Sequence, residues 1–308
     1  MVLIPLVLLA GVAAVVVHRP ARQPREPSAQ REAGCRAAAA PGLVGHAGAT
    51  GSPAGGSCSA AAQSELPVAR AAVPHPISPA YRWAVVIGIQ DYAGDTHPTF
   101  GGRGDVDAVT RALLLSGWRS DHIRTLVDGQ AGRQAITAAM AWLAARSGPE
   151  TFSLFHFSGH VCIVSRGPCA AGHTYLWSQD NQFLSESTVG AVLGRVQGRA
   201  WFDFAGCEAG ALDAGLSSPR RLVTGSSQAS ETAYEEPPWR ESVWAGLVWD
   251  RAFLHGEAGT SAAKATIGQM VAYGRTRAPQ LTAGQSAGTQ HPYVAGGDPT
   301  EALYAPHT

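Results

Sequence analysis

Lysine is almost missing from this chain of 308 residues. Lys264 is the only one, and arginine supplies nearly all of the positive charge. Charged residues make up 15% of the sequence and cancel to a formal net charge of zero, so the basic footprint of a nucleic-acid binder is absent and no nucleic-acid partner is expected. Five cysteines are present, Cys35, Cys58, Cys162, Cys169 and Cys207. None lies in a Cys-x-x-Cys pair, which argues against a cysteine-rich zinc site. Cys162 and Cys169 flank a short polar stretch and would pair in an oxidising compartment. Two thiols in a loop is the plainer reading, since nothing else signals export. No Asp/Asn/Gly-rich calcium loop is visible, so neither a metal nor a cofactor is expected. No Walker lysine motif occurs, and no Gly-x-Ser-x-Gly elbow joins a predicted strand to a predicted helix. That sets aside a nucleotide-binding or α/β-hydrolase reading.

What is present begins with an apolar run from Val2 to Val17. At about 1.5 Å per residue it spans about 24 Å, a little less than a bilayer core. No basic residue precedes it, whereas His18, Arg19, Arg22, Arg25 and Arg31 follow it. By the positive-inside tendency, that charge places the chain after the run in the cytoplasm. Residues 1–18 are therefore expected to be a single N-terminal membrane anchor. The alternatives are an export signal with a secreted product, or a misplaced start. From 19 to 80 the chain is rich in Ala, Gly, Pro and Ser and has almost no aromatics. Such a segment buries too little surface to offset its ordering entropy, and a flexible tether is expected.

From Tyr81 the character changes, and 81–308 reads as the folded domain. The apolar runs Trp83–Ile89, Ile123–Val127, Phe152–Phe157, Ala200–Phe204 and Arg221–Gly225 predict strands, and Leu176–Asp180 a further short one. Helical spacing predicts helices over Asp105–Leu115, Arg133–Arg146, Ser187–Val196, Ser242–His255 and Ala262–Arg277. Strands alternating with helices imply an α/β fold, a mostly parallel sheet flanked by helices on both faces.

Two segments carry the chemistry, Phe157-Ser158-Gly159-His160 and Asp203-Phe204-Ala205-Gly206-Cys207-Glu208-Ala209-Gly210. Each follows an aromatic-rich strand and ends in small residues. In parallel α/β sheets, ligands collect at the carboxyl ends of the strands, where both His160 and Cys207 fall. A cysteine is a strong nucleophile as thiolate, and a histidine in reach takes its proton and returns it to the leaving amine. A helix start after Cys207 would add N–H donors for a tetrahedral oxyanion. Taken singly, a cysteine after a strand reads as a small buried hydrophobe and a histidine as a hydrogen-bonded core residue. The pair, in this order and about 50 residues apart, reads as catalytic. His156 reads as a core histidine, Asp107 as a helix brace, and Glu235 and Glu236 as a solvated loop.

From about Tyr81 to Tyr304 the chain resembles the caspase/metacaspase clan of cysteine peptidases. The matching pieces, in order, are Trp83-Ala-Val-Val-Ile-Gly-Ile-Gln-Asp-Tyr92, Gly104-Asp-Val-Asp-Ala108, Phe157-Ser-Gly-His160, Cys207-Glu-Ala-Gly210, Ser226-Ser-Gln-Ala-Ser-Glu-Thr-Ala-Tyr-Glu235 and Gln290-His-Pro-Tyr293. The resemblance implies a caspase-like fold with a large-subunit-like part over about 81–212 and a small-subunit-like part over about 221–308. It implies a cysteine endopeptidase acting on protein or peptide substrates, with His160 as general base and acid and Cys207 as nucleophile, and a possible homodimer. Metacaspases often use calcium, for which Asp180 is the loop carboxylate to consider.

Two departures stand out. Val161 follows Ser-Gly-His where the family carries Gly, so the oxyanion donors Gly159, Val161 and Cys207 are in question. Ala205 stands where metacaspase-like members carry an Asp for the P1 side chain. Strand alternation puts 203, 205 and 207 on one face, which makes Asp203 the candidate receiver of a basic P1 residue. Arg103 is the candidate for an acidic one. The alternative to a peptidase is a caspase-like scaffold without activity.

Overall fold

The computed structural model describes residues 77–163, 173–298 and 301–303. The apolar run and the tether up to residue 76 lie outside them, as do Cys35, Cys58 and Cys169. Six strands form the main sheet: β1 (Arg82–Gly88), β2 (Ile123–Val127), β3 (Phe152–Ser158), β7 (Arg199–Ala205), β8 (Arg221–Gly225) and β11 (Tyr293–Gly296). Their spatial order is β11-β8-β7-β3-β1-β2, all neighbours parallel except β11, which runs against β8. Continuous apolar runs suit strands covered on both faces, and every residue of β3 is buried.

Each face has its own core. On one, Val106, Val109 and Leu113 of α1 (Gly102–Leu115), Trp244, Trp249 and Met270 pack on Val86, Leu154 and Trp201. These come from α4 (Val243–Ala245), its π-helical continuation (Gly246–Leu254), and α5 (Ile267–Thr282). On the other, Ile136 and Met140 of α2 (Arg133–Arg146) and Val189 and Leu193 of α3 (Glu186–Leu193) cover Ile87, Phe155, Phe157, Phe202 and Phe204. The end of β1 packs closely on the start of α1, since a Cβ on Gly88 would lie 1.9 Å from the carbonyl oxygen of Gly102.

Three elements differ from expectation. The short strand near Leu176 belongs to an antiparallel sheet of β4 (Val161–Ile163), β5 (Thr174–Trp177) and β6 (Phe183–Ser185). The late helix expected over 262–277 starts at Ile267, where Thr266 and Gln269 form a capping box, and runs through Pro279 to Thr282. A hairpin of β9 (Glu235–Glu236) and β10 (Glu241–Ser242) precedes α4.

At the start of β1, Arg82 is buried and donates to three carbonyl oxygens, of Ile77 at 2.7 Å, Ser116 at 3.1 Å and Leu303 at 2.6 Å. Burial lowers its pKa to about 10. Residues 77 and 303, far apart in sequence, are thereby joined at the end of the sheet opposite the candidate site. Among the described residues no helix is long and apolar enough to cross a membrane.

Candidate active site

The register of β3 and β7 sets the site. Ser158 and Ala205 are Cα partners, and His160 and Cys207 each stand two residues beyond them. The two turns touch. Gly159 N–H donates to the Ala205 carbonyl at 3.1 Å, and a Cβ on Gly206 would lie 2.6 Å from the Gly159 oxygen. A Cβ on Gly159 would lie 2.6 Å from the Tyr92 hydroxyl oxygen. Only glycine at 159 and 206 allows this approach.

His160 is half-buried, and its imidazole has a defined orientation. Nε2 lies 2.7 Å from the His97 carbonyl oxygen. A carbonyl only accepts, so Nε2 carries the proton and Nδ1 is left as the basic nitrogen. The Tyr92 and Trp177 rings flank the imidazole at centroid distances of 4.7 and 5.6 Å. The His160 backbone N–H donates to the Tyr92 hydroxyl at 2.7 Å, and Trp177 N–H donates to the His160 carbonyl at 3.0 Å. The loop bearing His97 is fastened through Asn181, which accepts from Thr96 Oγ1 at 2.8 Å and donates to the Ala93 carbonyl at 2.7 Å. Glu235 holds the end of that loop by accepting from the Phe100 and Gly101 N–H groups, each at 2.8 Å. It is a brace, not the solvated residue expected.

Cys207 is 8% exposed. The Ala233 N–H donates to its Sγ at 3.4 Å, and the Ala233 carbonyl oxygen lies 4.0 Å from the same sulfur. Ser226 Oγ accepts from Gly206 N–H at 2.9 Å and donates to the Gly206 carbonyl at 2.6 Å, which braces the turn beneath the cysteine. Glu208 follows at φ 56°, and a short 3-10 helix (Ala209–Asp213) comes next. The donors expected from this helix start are engaged. Glu208 N–H bonds the Glu231 carbonyl at 2.8 Å and Gly210 N–H the Ser227 carbonyl at 3.0 Å. Gly159 N–H is likewise spent on Ala205, which corrects its place among the oxyanion donors. Val161 is 1% exposed and opens β4, its side chain in the core beside Gly206.

The structure corrects the role of Asp203. It shares a face with Ala205, as alternation requires, yet it is 0% exposed because α4 and its continuation cover that face. Its oxygens accept from His156 Nδ1 at 2.8 Å, Thr224 Oγ1 at 2.5 Å, Trp244 Nε1 at 2.7 Å and Trp249 Nε1 at 2.9 Å. Burial works to raise its carboxyl, but the bonds from His156, Thr224 and Trp244 outweigh it and hold the group below the usual carboxylate range. Asp203 is a structural acid with no lone pair left for a substrate. His156, its register partner, is the core histidine expected. Ala205 is 3% exposed.

Arg103 is committed too. It bonds Asp91 and, through Nε at 2.5 Å, Asp128, whose carboxylate also accepts the Gln90 and Asp91 N–H groups. An acidic P1 residue would have to displace two carboxylates from it. Asp180 caps α2, accepting from the Arg133 N–H at 3.0 Å and from Ser178 Oγ at 2.6 Å. Among the described residues no group of three or more His, Cys, Asp or Glu is placed to hold a metal ion.

Sequence reasoning missed Asp105. Asp107 is exposed, whereas Asp105 is 0% exposed and lies under the site. It accepts from Ser158 Oγ at 2.5 Å and from the Ser242 N–H at 2.8 Å. Burial pushes its carboxyl up, against the opposing pull of His156 and these hydrogen bonds. Gly284-Gln285-Ser286-Ala287-Gly288 does spell Gly-x-Ser-x-Gly, but it occupies exposed turns after α5 and follows no strand, so it is no nucleophile elbow.

Comparison with known proteins bears on this arrangement. Residues 81–194 match the family model described as Caspase domain, a segment that includes His160 and stops short of Cys207. Metacaspase-1 of Candida albicans is 37% identical over 83 residues, and Metacaspase-1 of Lodderomyces elongisporus 36% over 83 residues. Each match covers 25% of this chain and 18% of the relative. Among solved structures, protein GSU0716 from Geobacter sulfurreducens superposes with a TM-score of 0.54 at 14% identity, covering 70% of this chain and 94% of that one. Caspase-1 from Spodoptera frugiperda gives a TM-score of 0.54 at 11% identity, covering 79% of this chain and 98% of that one.

Proposed function

We propose that this chain, caspase/metacaspase-like in family and fold, is a cysteine endopeptidase working through His160 and Cys207. The observation that carries the reading is the fixed tautomer of His160, held by the His97 carbonyl, on a turn that touches the one bearing Cys207. Nδ1 of His160 takes the thiol proton, and the Cys207 sulfur attacks the scissile carbonyl. The negative charge of the tetrahedral intermediate falls to backbone N–H donors, with that of Cys207 itself the first in line. His160 returns the proton to the leaving amine, and the thioester is then hydrolysed by water activated at the same nitrogen.

A basic P1 residue is the preferred substrate. With Asp203 occupied in the core, the support that remains is Arg103, whose charge is neutralised by two carboxylates. The apolar run Val2–Val17 and the arginines after it support a single membrane anchor with the domain on the cytoplasmic side. A homodimer remains part of the proposal.

One observation favours a second reading, a caspase-like binding module. Cys207 lies against Ala233 and is 8% exposed, so the nucleophile is covered in this conformation. The test uses the full chain in detergent micelles, with Cys207→Ala and His160→Ala as controls. Fluorogenic peptides with Arg, Lys or Asp at P1 are assayed for turnover, and peptide chloromethyl ketones for trapping at Cys207. Turnover of Arg or Lys peptides, lost in both variants, supports the endopeptidase. A folded wild-type chain that neither cleaves nor is trapped gives way to the binding module.

A further inference from the structure

The outer edge of the sheet at β2 carries a feature unrelated to the dyad. β2 is the last strand in the order, bordered by β1 alone, and Arg124 and Thr125 on it are exposed. Beside it lies a shallow groove of about 540 Å³ lined by Trp83, His122, Arg124, Thr125, Trp142 and Arg146. The groove sits at the start of β2, whereas the dyad sits beyond the ends of β3 and β7.

Two arginines and one carboxylate line this groove. Arg124 stacks over the Trp142 ring at 4.4 Å and Arg146 over the Trp83 ring at 5.0 Å. Stacking holds a guanidinium flat and leaves its in-plane N–H groups for an anion. The arginine ion pairs among the described residues involve Arg103, Arg111, Arg119, Arg199 and Arg251, not these two. The one carboxylate in the lining, Asp121, accepts two hydrogen bonds from Arg119, at 3.0 and 2.7 Å, and is held below the usual carboxylate range by that partner. The aromatic faces are also in use. Trp83 carries His122 stacked at 3.6 Å in addition to Arg146, so no open ring platform is offered to a nucleobase. A ligand finds anion-seeking guanidinium groups and the outer edge of a border strand, on which the Val127 N–H is taken by Gln130 Oε1 at 3.3 Å.

We propose that this edge is a docking surface for an acidic, extended peptide segment of another protein. The segment would add as a strand alongside β2, its backbone meeting the outer edge and its carboxylates meeting Arg124 and Arg146. Nothing in this requires the dyad to be competent.

The test uses the full chain carrying Cys207→Ala, so that no probe is cut. Fluorescein-labelled octapeptides of alternating Glu-Val and of alternating Lys-Val, and a dT12 oligonucleotide, are titrated by fluorescence polarisation at low and at physiological salt. The Glu-Val peptide is expected to bind saturably and more weakly as salt rises. Its affinity should fall by about tenfold or more on the double reversal Arg124→Glu, Arg146→Glu. Both arginines are exposed, and an unchanged melting temperature verifies folding. Amide hydrogen exchange on the unreversed chain, with and without peptide, supplies a readout that needs no variant, and amides of residues 123–127 should slow when the peptide is bound. Equal binding of the Lys-Val peptide, equal binding of the oligonucleotide, an affinity unmoved by the reversal, or unchanged exchange over 123–127 would each overturn the proposal.

Discussion

His160 presents Nε2 to the carbonyl oxygen of His97 at 2.7 Å, so the group that fixes the tautomer of the candidate base belongs to the backbone. The His97 side chain is exposed and turned to the Pro98 carbonyl. His97→Ala should therefore leave peptide turnover within about twofold of wild type, as expected of a surface change of about 0.5 kcal/mol or less. A loss of a hundredfold would mean that the His97 ring takes part.

Tyr92 acts on the same imidazole from the other side, by ring contact and by accepting the His160 N–H. Tyr92→Phe keeps the ring and removes the acceptor. The expected cost is about 1–2 kcal/mol, or roughly tenfold in kcat/KM with KM little changed. The pH dependence of Cys207 alkylation, read by mass spectrometry, should move with it and needs no substrate. An alkylation profile identical to wild type would remove Tyr92 from this role.

Asp203→Asn separates a core acid from a pocket acid. Replacing the buried partner of His156 is expected to cost about 2–4 kcal/mol of stability, measured by chemical denaturation. The ratio of Arg to Asp turnover at P1 should stay constant. A changed ratio with little loss of stability would return Asp203 to the substrate pocket.

Ser226 is 1% exposed and bonds both the N–H and the carbonyl of Gly206. Ser226→Ala leaves both groups without this partner, at a cost of about 1–3 kcal/mol. The expected result is a lower melting temperature together with a lower rate of peptide turnover. A variant with wild-type values of both would show that the Cys207 turn does not depend on Ser226.

Glu241 supplies a pH prediction. Burial raises its carboxyl to about 8, helped by Asp105 and Asp250 and opposed by Arg251 and Arg111. The unfolded chain ionises this group near its ordinary value of 4.5 while the folded chain keeps the proton. The folded state therefore binds more protons between the two values. The stability that this difference contributes is full below about 4.5 and is lost as pH rises through about 8. Glu241→Gln should leave the melting temperature nearly unchanged at low pH and stabilise the protein by about 1–2 kcal/mol at the alkaline end. Equal effects at both ends would place the Glu241 carboxyl in water.

The proposed pair of His160 and Cys207 stands out in the sequence because two signals coincide. Phe157-Ser-Gly-His160 and Phe204-Ala-Gly-Cys207 each put a reactive side chain after an aromatic strand, and the register makes those strands neighbours. Asp203 was misread because alternation tells which face a residue occupies and not what covers it. Two tryptophans arriving some 40 residues later cover it, and their indole N–H groups consume its lone pairs. Asp105 was passed over because an acid in the first turn of a helix already has a use at the helix dipole. The sheet of β4, β5 and β6 was mostly hidden because two of its strands are three residues each, too short for any period to register.

The clasp at Arg82 has a mechanical meaning. Any tension reaching the domain through the chain upstream of residue 77 arrives first at a guanidinium bonded to the Ile77, Ser116 and Leu303 carbonyls. That knot lies at the opposite end of the parallel strands from His160 and Cys207. A pull on residue 77 therefore enters the fold at the base of the sheet, at the far end of the strands from the turns that carry His160 and Cys207.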